Sequence, residues 1–420
     1  MDKLIIKGGK KLKGRVDISG AKNAALPILA ATLLTDERCI VKNVPMLTDI
    51  TTMIKILGEL GKSVKRVGST LVVKTQDKSR CVAPYELVST MRGSICVLGP
   101  LVGKRKKAKV SFPGGCVIGP RPIDLHLKGL RDLGIGINVK GGYIIGNGKE
   151  IKGTRIYLGG HFGSSVLATA NVLMASVLAK GKTVIENAAC EPEIADLVRF
   201  LKKMGAKIHG AGSPRLEISG VRYLKGCTHA LIPDRIEAGT YMLATAITKG
   251  DVYLRGGQFD NLLALIDKMR EAGVSIEKKG KGIRVRHVKG IKPIDVTTLP
   301  YPGFPTDLQA QMMALMAITQ GISVITEKIY PERFIHISEL NRMGARIVLE
   351  GPNAIIKGVE HLSGAPVMAS DLRASASLVL AGLVAKGTTE ISRIYHLDRG
   401  YENLEIKLQK IGADIKRVKE

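Results

Sequence analysis

The chain has 420 residues, enough for two or three domains at roughly 150 residues each, and its 64 Lys and Arg against 37 Asp and Glu give a formal charge of +27. This excess favours anionic partners, while six widely spaced cysteines without Cys-x-x-Cys or Cys/His spacing argue against a zinc site or a disulfide framework. No apolar run reaches ~18 residues and the N-terminus lacks a signal-peptide core, so we expect a cytoplasmic protein that does not cross a membrane.

The chain opens on a predicted strand, residues 1–8, and then repeats one unit six times. In each unit an amphipathic helix, with apolar residues three and four positions apart, ends at a glycine and turns into a short strand. A glycine after a helix favours the left-handed conformation that ends it. The six glycines lie 73, 71, 68, 71 and 68 residues apart and are Gly61, Gly134, Gly205, Gly273, Gly344 and Gly412. A constant period of this size predicts repeated supersecondary units.

A second predicted helix in each unit is rich in Ala, Leu and Met and nearly uncharged, which indicates burial. These apolar helices are predicted to end at Thr35, Lys104, Gly181, Gly250, Gly321 and Gly387, each before another strand. Together the two helix types predict an α/β fold with pseudo-sixfold repetition. The six units divide into two groups of three, and the best candidate boundary is residues 225–233.

The starts of the apolar helices carry polar residues that packing alone does not require. Helix N-termini present unpaired N–H groups and attract anions. Capping explains Ser and Asp at such positions, but Lys and Arg oppose the helix dipole, and an anion between them would remove that conflict. The starting segments are residues 19–23, 90–92, 163–166, 233–235, 304–307 and 370–373, with the cations Lys22, Arg92, Arg235 and Arg373.

Residues 113–122 form the most unusual loop, because six of its ten residues are Gly or Pro. Such a composition predicts a mobile segment with defined hinges. Its Cys116 is either a small buried hydrophobic residue or a reactive thiol, and the nearby Arg121 would favour the thiolate.

Two later loops carry arginines directly after acidic residues: Arg333 follows Glu332, and Arg399 follows Asp398. Each arginine either forms a surface ion pair with its neighbour or grips a phosphate or carboxylate, for which the planar guanidinium is well suited.

Several function classes lack their motifs. The chain has no Walker-type loop, no Gly-x-Gly-x-x-Gly after a strand and no Gly-x-Ser-x-Gly elbow, so nucleotide hydrolysis, a Rossmann cofactor and serine hydrolysis are not supported. A non-catalytic, basic nucleic-acid-binding repeat protein remains an alternative, although aromatic residues make up 4% of the chain and Trp is absent.

Seven motifs spread over the whole chain resemble those of the enolpyruvyl transferases: residues 19–27, 113–122, 186–189, 233–237, 304–311, 371–376 and 398–402. The resemblance implies two inside-out α/β domains, each of three repeats. Residues 22–232, with the Cys116 loop, would form the N-terminal catalytic domain, and residues 1–21 with 233–420 the C-terminal domain. The implied reaction moves the enolpyruvyl group of phosphoenolpyruvate to the 3-hydroxyl of UDP-N-acetylglucosamine, releases phosphate and begins peptidoglycan synthesis.

The resemblance also implies roles for individual residues. Cys116 would be the acid that protonates the methylene carbon and would form a thioether adduct with phosphoenolpyruvate, and Asp307 would contact the 3-hydroxyl as the candidate base. Phosphoenolpyruvate would be held by Lys22, Asn23, Arg121 and Arg399, of which Lys22 and Arg399 are also expected to be catalytic. The UDP-sugar would contact Arg92, Arg121, Pro122, Ile123, Asp124, Leu125, Ser165, Val166, Asp307 and Ile329, and further site residues would be Arg333, Asp371 and Arg373.

The resemblance implies no metal and no organic cofactor, small-molecule substrates as partners, neither nucleic acid nor membrane as a partner, and alkylation of Cys116 by fosfomycin. A related enzyme with shikimate 3-phosphate as its acceptor is the nearest alternative, and the Gly-Gly-Cys-x-Ile-Gly loop argues against it. The chain departs from the family pattern at residues 159–169, which lack the expected Lys before a Ser-Val-Gly-Ala-Thr segment. The UDP contacts in this segment are therefore left open.

Overall fold

The computed structural model describes residues 2–114, 122–287 and 290–419, which form two compact units. The N-unit comprises the described residues of 20–232, and the C-unit comprises residues 2–19 together with the described residues of 233–419. Each unit has its own hydrophobic core. Among the described residues, no helix combines the length and the apolar character that a bilayer crossing requires.

The chain enters the C-unit with the strands β1 (Asp2–Lys7) and β2 (Lys13–Asp17). The N-unit follows with strands β3 (Cys39–Lys42), β4 (Lys62–Val67), β5 (Thr70–Thr75), β6 (Val82–Ala83), β7 (Lys107–Ser111), β8 (Gly136–Lys140), β9 (Tyr143–Asn147), β10 (Arg155–Tyr157), β11 (Gly159–Gly160), β12 (Gly163–Ser164), β13 (Lys182–Glu186), β14 (Lys207–His209), β15 (Arg215–Ser219) and β16 (Thr228–Ala230). Its helices are α1 (Lys22–Ala31), α2 (Thr48–Glu59), α3 (Tyr85–Val88), α4 (Leu98–Arg105), α5 (Asp124–Asp132), α6 (Val166–Ser176) and α7 (Pro192–Lys203), with 3₁₀ turns at Thr32–Leu34 and Arg92–Val97.

The chain then returns to the C-unit. The remaining strands are β17 (Asp251–Arg255), β18 (Ser275–Lys279), β19 (Gly282–Arg286), β20 (Val296–Thr297), β21 (Ile322–Thr326), β22 (Arg346–Glu350), β23 (Asn353–Lys357), β24 (Pro366–Met368), β25 (Thr388–Ser392) and β26 (Asp414–Lys419). The helices are α8 (Arg235–Ile247), α9 (Leu263–Glu271), α10 (Gln309–Ala317), α11 (His336–Arg342), α12 (Leu372–Gly382) and α13 (Leu404–Lys410), with 3₁₀ turns at Phe259–Asn261, Thr306–Leu308 and Ile394–Arg399.

Each unit contains three four-stranded sheets built on one pattern. The strand orders are β16-β3-β5-β4, β6-β7-β9-β8 and β10-β13-β15-β14 in the N-unit, and β2-β17-β19-β18, β20-β21-β23-β22 and β24-β25-β1-β26 in the C-unit. In every sheet the first pair of strands is parallel and the other two pairs are antiparallel. The repeated α/β fold predicted from the sequence is therefore confirmed.

The apolar helices occupy the interior of each unit. Helices α8 and α10 are buried along their whole length and α12 over all but its first residue, and all three contact one another. In the N-unit α6 contacts both α1 and α4. Gly99 permits the approach of α4 to α6, because a Cβ atom at this position would lie 2.1 Å from the carbonyl oxygen of Asn171. The strands lie outside these helices and alternate buried with exposed side chains, so each unit is an inside-out α/β arrangement.

The six junction glycines all adopt a left-handed backbone, with φ between 76° at Gly61 and 104° at Gly205. The predicted ends of the apolar helices are less accurate. Lys106 and Lys249 take the left-handed conformation at two of these ends. Gly250 is required for another reason, because a Cβ atom there would lie 2.3 Å from the carbonyl oxygen of Leu12.

Candidate functional site

The polar segments predicted as helix starts do begin the buried helices of both units. In the N-unit, Lys22 begins α1, Arg92 opens the 3₁₀ turn that runs into α4, and the Ser165 hydroxyl caps α6 by accepting a hydrogen bond from Ala168 N at 3.3 Å. Val166 follows as the first residue of α6. Three helix N-termini of this unit therefore carry candidate residues.

Lys22 is held by a carboxylate inside the N-unit. Its Nζ lies 3.2 Å from Asp49 Oδ2, and both side chains are buried. Asp49 lies in the first turn of α2, so a second helix fixes the ammonium group. The neighbouring Asn23 is partly buried in the first turn of α1.

Arg92 contacts the predicted UDP-sugar segment. Its Nη2 donates a hydrogen bond to the Pro122 carbonyl oxygen at 3.0 Å. Ile123 beyond it is buried, and Asp124 and Leu125 begin α5. The other residues predicted in this loop, Cys116 and Arg121, lie outside the described residues.

The segment that departs from the family pattern forms a short hairpin. Strands β11 and β12 pair antiparallel, with Gly159 opposite Ser164, and the hairpin leads directly to Ser165. The rings of His161 and Phe162, at the tip of this hairpin, pack edge to face at 4.7 Å.

In the C-unit, Asp307 lies between two arginines. Its Oδ1 accepts a hydrogen bond from Arg333 Nη1 at 2.9 Å, and its Oδ2 accepts one from Arg373 Nη2 at 3.0 Å. Burial raises the pKa of the Asp307 carboxyl, but the charges of Arg373 and Arg333 outweigh this effect and hold the pKa well below its usual range. Both arginines are buried. We call Asp307, Arg333 and Arg373 the carboxylate clamp.

Glu327, a fully buried residue at the end of β21, organises the segment around Asp307. One carboxylate oxygen accepts hydrogen bonds from Thr298 Oγ1, Ile329 N and Tyr330 N at 2.7, 2.8 and 3.0 Å. The other accepts one from Thr306 Oγ1 at 2.8 Å, and Thr306 Oγ1 in turn accepts one from Arg333 Nη1 at 3.0 Å. Glu327 therefore joins the Asp307 turn, the Ile329 backbone and Arg333 in one network.

Asp371 and Arg373 stand together at the start of α12. The Asp371 carboxylate caps the helix by accepting hydrogen bonds from Arg373 N at 2.8 Å and Ala374 N at 3.1 Å. The Arg373 guanidinium lies over the Tyr401 ring at 5.3 Å. The Tyr401 hydroxyl in turn contacts Thr240 Oγ1 of α8 at 2.9 Å. The second turn of α8 and the first turn of α12 therefore lie close to the clamp.

Arg399 is the last residue of the 3₁₀ turn Ile394–Arg399. Arg417, on β26, holds this turn in place. The two oxygens of Asp398 accept hydrogen bonds from Arg417 Nη2 and Nη1 at 2.6 and 3.0 Å, and Glu405 Oε1 accepts one from Arg417 Nε at 2.8 Å. Arg417 thus anchors the residue that precedes Arg399.

In the other arginine loop, Arg333 pairs with Asp307 rather than with Glu332.

Sequence reasoning missed Asp49, Glu327 and Arg417, because each acts on a residue far away in the chain. A buried Glu directly after an apolar strand was a usable signal for Glu327. His126, on α5, is a core residue: it is buried, and its Nδ1 lies 2.8 Å from Asn171 Nδ2. Burial, with a smaller effect of the Arg92 charge, lowers the pKa of His126 to about 3. Within the described part of the chain, no cluster of His, Cys, Asp and Glu has the makings of a metal site.

The profile of a protein family described as EPSP synthase (3-phosphoshikimate 1-carboxyvinyltransferase) matches residues 6–408. The chain belongs to this family. It is similar to UDP-N-acetylglucosamine 1-carboxyvinyltransferase of Geotalea uraniireducens (strain Rf4), with 54% identity over 420 residues and 100% of both chains covered. It is also similar to the protein of that name from Methylacidiphilum infernorum (isolate V4), with 52% identity over 418 residues, covering 100% of this chain and 99% of the relative.

Two solved structures share the fold. The enolpyruvyl transferase NikO from Streptomyces tendae superposes with a TM-score of 0.89 at 24% identity, covering 99% of both chains. The EPSP synthase from Acinetobacter baumannii superposes with a TM-score of 0.75 at 17% identity, covering 100% of both chains. These superpositions confirm the fold class that the sequence predicted.

Proposed function

We propose that this chain transfers the enolpyruvyl group of phosphoenolpyruvate to the 3-hydroxyl of UDP-N-acetylglucosamine and releases phosphate, in the cytoplasm, as a step of peptidoglycan synthesis. The observation that carries this conclusion is the 52–54% identity, over the full chain, to relatives named UDP-N-acetylglucosamine 1-carboxyvinyltransferase. The family match alone leaves shikimate 3-phosphate as a second acceptor. The names of these relatives favour the nucleotide sugar.

The reaction is an addition followed by an elimination. In the addition, the methylene carbon of phosphoenolpyruvate gains a proton, the central carbon gains oxocarbenium character, and the sugar oxygen bonds to that carbon as its hydrogen leaves to a base. In the elimination, the new methyl group returns a proton and the carbon–oxygen bond to phosphate breaks. We assign Cys116 as the acid and Asp307 as the group that orients the 3-hydroxyl and accepts its proton.

Three cations and one neighbouring amide are assigned to the anionic donor. Lys22, Asn23, Arg121 and Arg399 are proposed to hold the phosphate and carboxylate of phosphoenolpyruvate. Two contacts support this assignment: Asp49 fixes the Lys22 ammonium, and Arg417 fixes Asp398, the residue before Arg399. Positive groups fixed in advance stabilise the charge that develops on the leaving phosphate without reorganising during the reaction.

A second group of residues is assigned to the nucleotide sugar. Arg92 donates a hydrogen bond to the Pro122 carbonyl oxygen, and the Ser165 hydroxyl lies at the start of α6. Ile329 donates its N–H to Glu327 and belongs to the segment that carries Arg333. The remaining assigned contacts are Pro122, Ile123, Asp124, Leu125, Val166 and Asp307.

The test is a coupled phosphate-release assay on the purified chain with phosphoenolpyruvate and one acceptor at a time. We expect release with UDP-N-acetylglucosamine and none with shikimate 3-phosphate; the reverse would overturn the assignment of the acceptor. Lys22→Met should abolish release, whereas Lys74→Met, at an exposed lysine on β5 of the same unit, should leave it unchanged. Release from neither acceptor would overturn the proposed function.

The thiol assignment has its own test. Fosfomycin should add once to the chain, and peptide mapping by mass spectrometry should place the adduct on Cys116. Cys81→Ser should keep the adduct and Cys116→Ser should lose it. An adduct on another cysteine would overturn the assignment of the acid.

A further inference from the structure

The carboxylate clamp poses a chemical problem for Asp307. Both of its oxygens accept hydrogen bonds from guanidinium groups, at 2.9 and 3.0 Å. A carboxylate with both oxygens in charge-assisted bonds has a low proton affinity. In this state Asp307 orients a hydroxyl well but accepts its proton poorly.

The two arms of the clamp are not equivalent. Arg333 is the fixed arm, because its Nη1 also donates to Thr306 Oγ1, and the buried Glu327 holds Thr306. Arg373 is the loose arm. Its Nε and Nη1 are buried and have no hydrogen-bond partner among the described residues, and its side chain is 3% exposed.

Unpaired guanidinium donors at a buried position are suited to bind an anion. Leaving buried N–H groups unsatisfied costs free energy, and the side chain stands at the N-terminus of α12, an 11-residue helix whose dipole favours negative charge. The Tyr401 ring packs against one face of the Arg373 guanidinium, with 5.3 Å between the guanidinium carbon and the ring centroid. The donors that remain are suited to a carboxylate or phosphate oxygen.

We propose that the anionic donor substrate, by seating an oxygen on the unpaired donors of Arg373, loosens the Arg373–Asp307 bond and so makes Asp307 available as the base. The inference rests on the proposed function and deepens it. The second anion shares the guanidinium charge, the Nη2–Oδ2 bond weakens, and Oδ2 becomes free to accept a hydrogen bond from the acceptor hydroxyl. When the sugar oxygen then bonds to the central carbon of the donor, its O–H bond breaks and the proton moves to Oδ2.

The charges around the clamp are consistent with this coupling. Asp307 faces Arg333 and Arg373, while the charges of Asp371 and Asp234 and the Tyr401 hydroxyl act on these arginines. His336, on α11, is also close to Arg333, and burial lowers its pKa to about 4, so this imidazole is neutral at neutral pH. The negative charge of the incoming anion is therefore what raises the proton affinity of the Asp307 carboxylate.

The direct test is the titration of Asp307 in the full chain by carbon-13 NMR of labelled aspartate carboxyls, with Asp307→Asn to assign the signal. Without ligand we expect the signal to titrate below its usual range. With saturating phosphoenolpyruvate and no acceptor, we expect the midpoint to rise by at least one pH unit. Pyruvate and inorganic phosphate, added separately, distinguish carboxylate from phosphate as the anion that Arg373 receives.

Two variants separate the arms. Arg373→Gln should raise the midpoint in the resting protein and remove its response to phosphoenolpyruvate, whereas Arg333→Gln should raise the midpoint but keep the response. Binding is followed by calorimetry in parallel. Binding of phosphoenolpyruvate with an unchanged Asp307 midpoint would overturn the inference, and so would equal responses of the two variants. A chain that fails to bind phosphoenolpyruvate would instead count against the proposed function. If Arg373→Gln does not fold, the wild-type titration decides alone.

Discussion

Replacing the Glu327 carboxylate with an amide, Glu327→Gln, tests whether this buried residue organises the Asp307 segment. The carboxylate accepts four hydrogen bonds, three on one oxygen and one on the other. A hydrogen bond to a charged group contributes ~1.5–3 kcal/mol to stability, and a neutral one contributes ~0.5–1.5 kcal/mol. Replacing the carboxylate with a neutral amide should therefore cost about 1 kcal/mol of stability for each of these hydrogen bonds. The lower cost of burying an uncharged group offsets part of this loss, and we expect a net local destabilisation of about 2 kcal/mol.

The loss should be visible at two backbone amides. Ile329 N and Tyr330 N both donate to Glu327, so their hydrogen exchange should become about 30-fold faster, since 1.4 kcal/mol corresponds to a factor of ten. The amide side of the glutamine cannot accept the Thr306 hydroxyl, so the fixed arm Arg333 loosens. We therefore expect kcat/KM in the phosphate-release assay to fall about tenfold.

The matched control is Glu350→Gln, at an exposed position of β22 in the same unit. It should change neither the exchange of these amides nor kcat/KM. Wild-type exchange at Ile329 and Tyr330 in the Glu327→Gln variant would refute the reasoning, because it would mean that the four hydrogen bonds do not hold this segment.

Three further changes test other contacts. Asp49→Asn should raise the KM for phosphoenolpyruvate about tenfold, with a smaller change in kcat, because Lys22 loses the carboxylate that fixes it; an unchanged KM would contradict this. Arg417→Gln should also raise the KM for phosphoenolpyruvate, because Asp398, the residue before Arg399, loses its two hydrogen bonds to Arg417. Steady-state kinetics at saturating acceptor would measure this rise. Because the pKa of His126 falls to about 3, the unfolded chain binds more protons between about pH 6.5 and 3. Stability should therefore decrease as the pH is lowered through this range, by up to about 1.4 kcal/mol per pH unit, and urea unfolding of His126→Gln should show a weaker decrease.

The sequence predicted features that depend on nearby residues. A glycine after a helix is a local requirement, and all six junction glycines have positive φ. The helix starts were equally visible, because their polar residues interrupt apolar stretches at corresponding places in each unit. Lys249 shows the limit of this reasoning, since it takes the left-handed position that a glycine beside it suggested.

Contacts between distant residues could not be predicted from a single sequence. For Arg333 the sequence offered its neighbour Glu332 or an anionic ligand as the partner, whereas the structure pairs it with Asp307. The partner of Asp398, in the 3₁₀ turn Ile394–Arg399, is Arg417 on β26. The sequence places Lys328 directly after Glu327, whereas the donors that surround the buried carboxylate are hydroxyl and backbone amide groups.

The position of β1 has a consequence for biosynthesis. This strand is made before every other described strand, yet it pairs on one side with β25 and on the other with β26, which are made after the rest of the described strands. The side chains of Leu4 and Ile6, fully buried in the finished sheet, stay without their neighbours while the ribosome produces nearly all of the chain. The N-unit completes its sheets during that interval from residues already synthesised. Late pairing between strands far apart in the chain is slow and exposes apolar surface meanwhile, so chaperones that shield the newly made β1 segment should raise the yield of this protein.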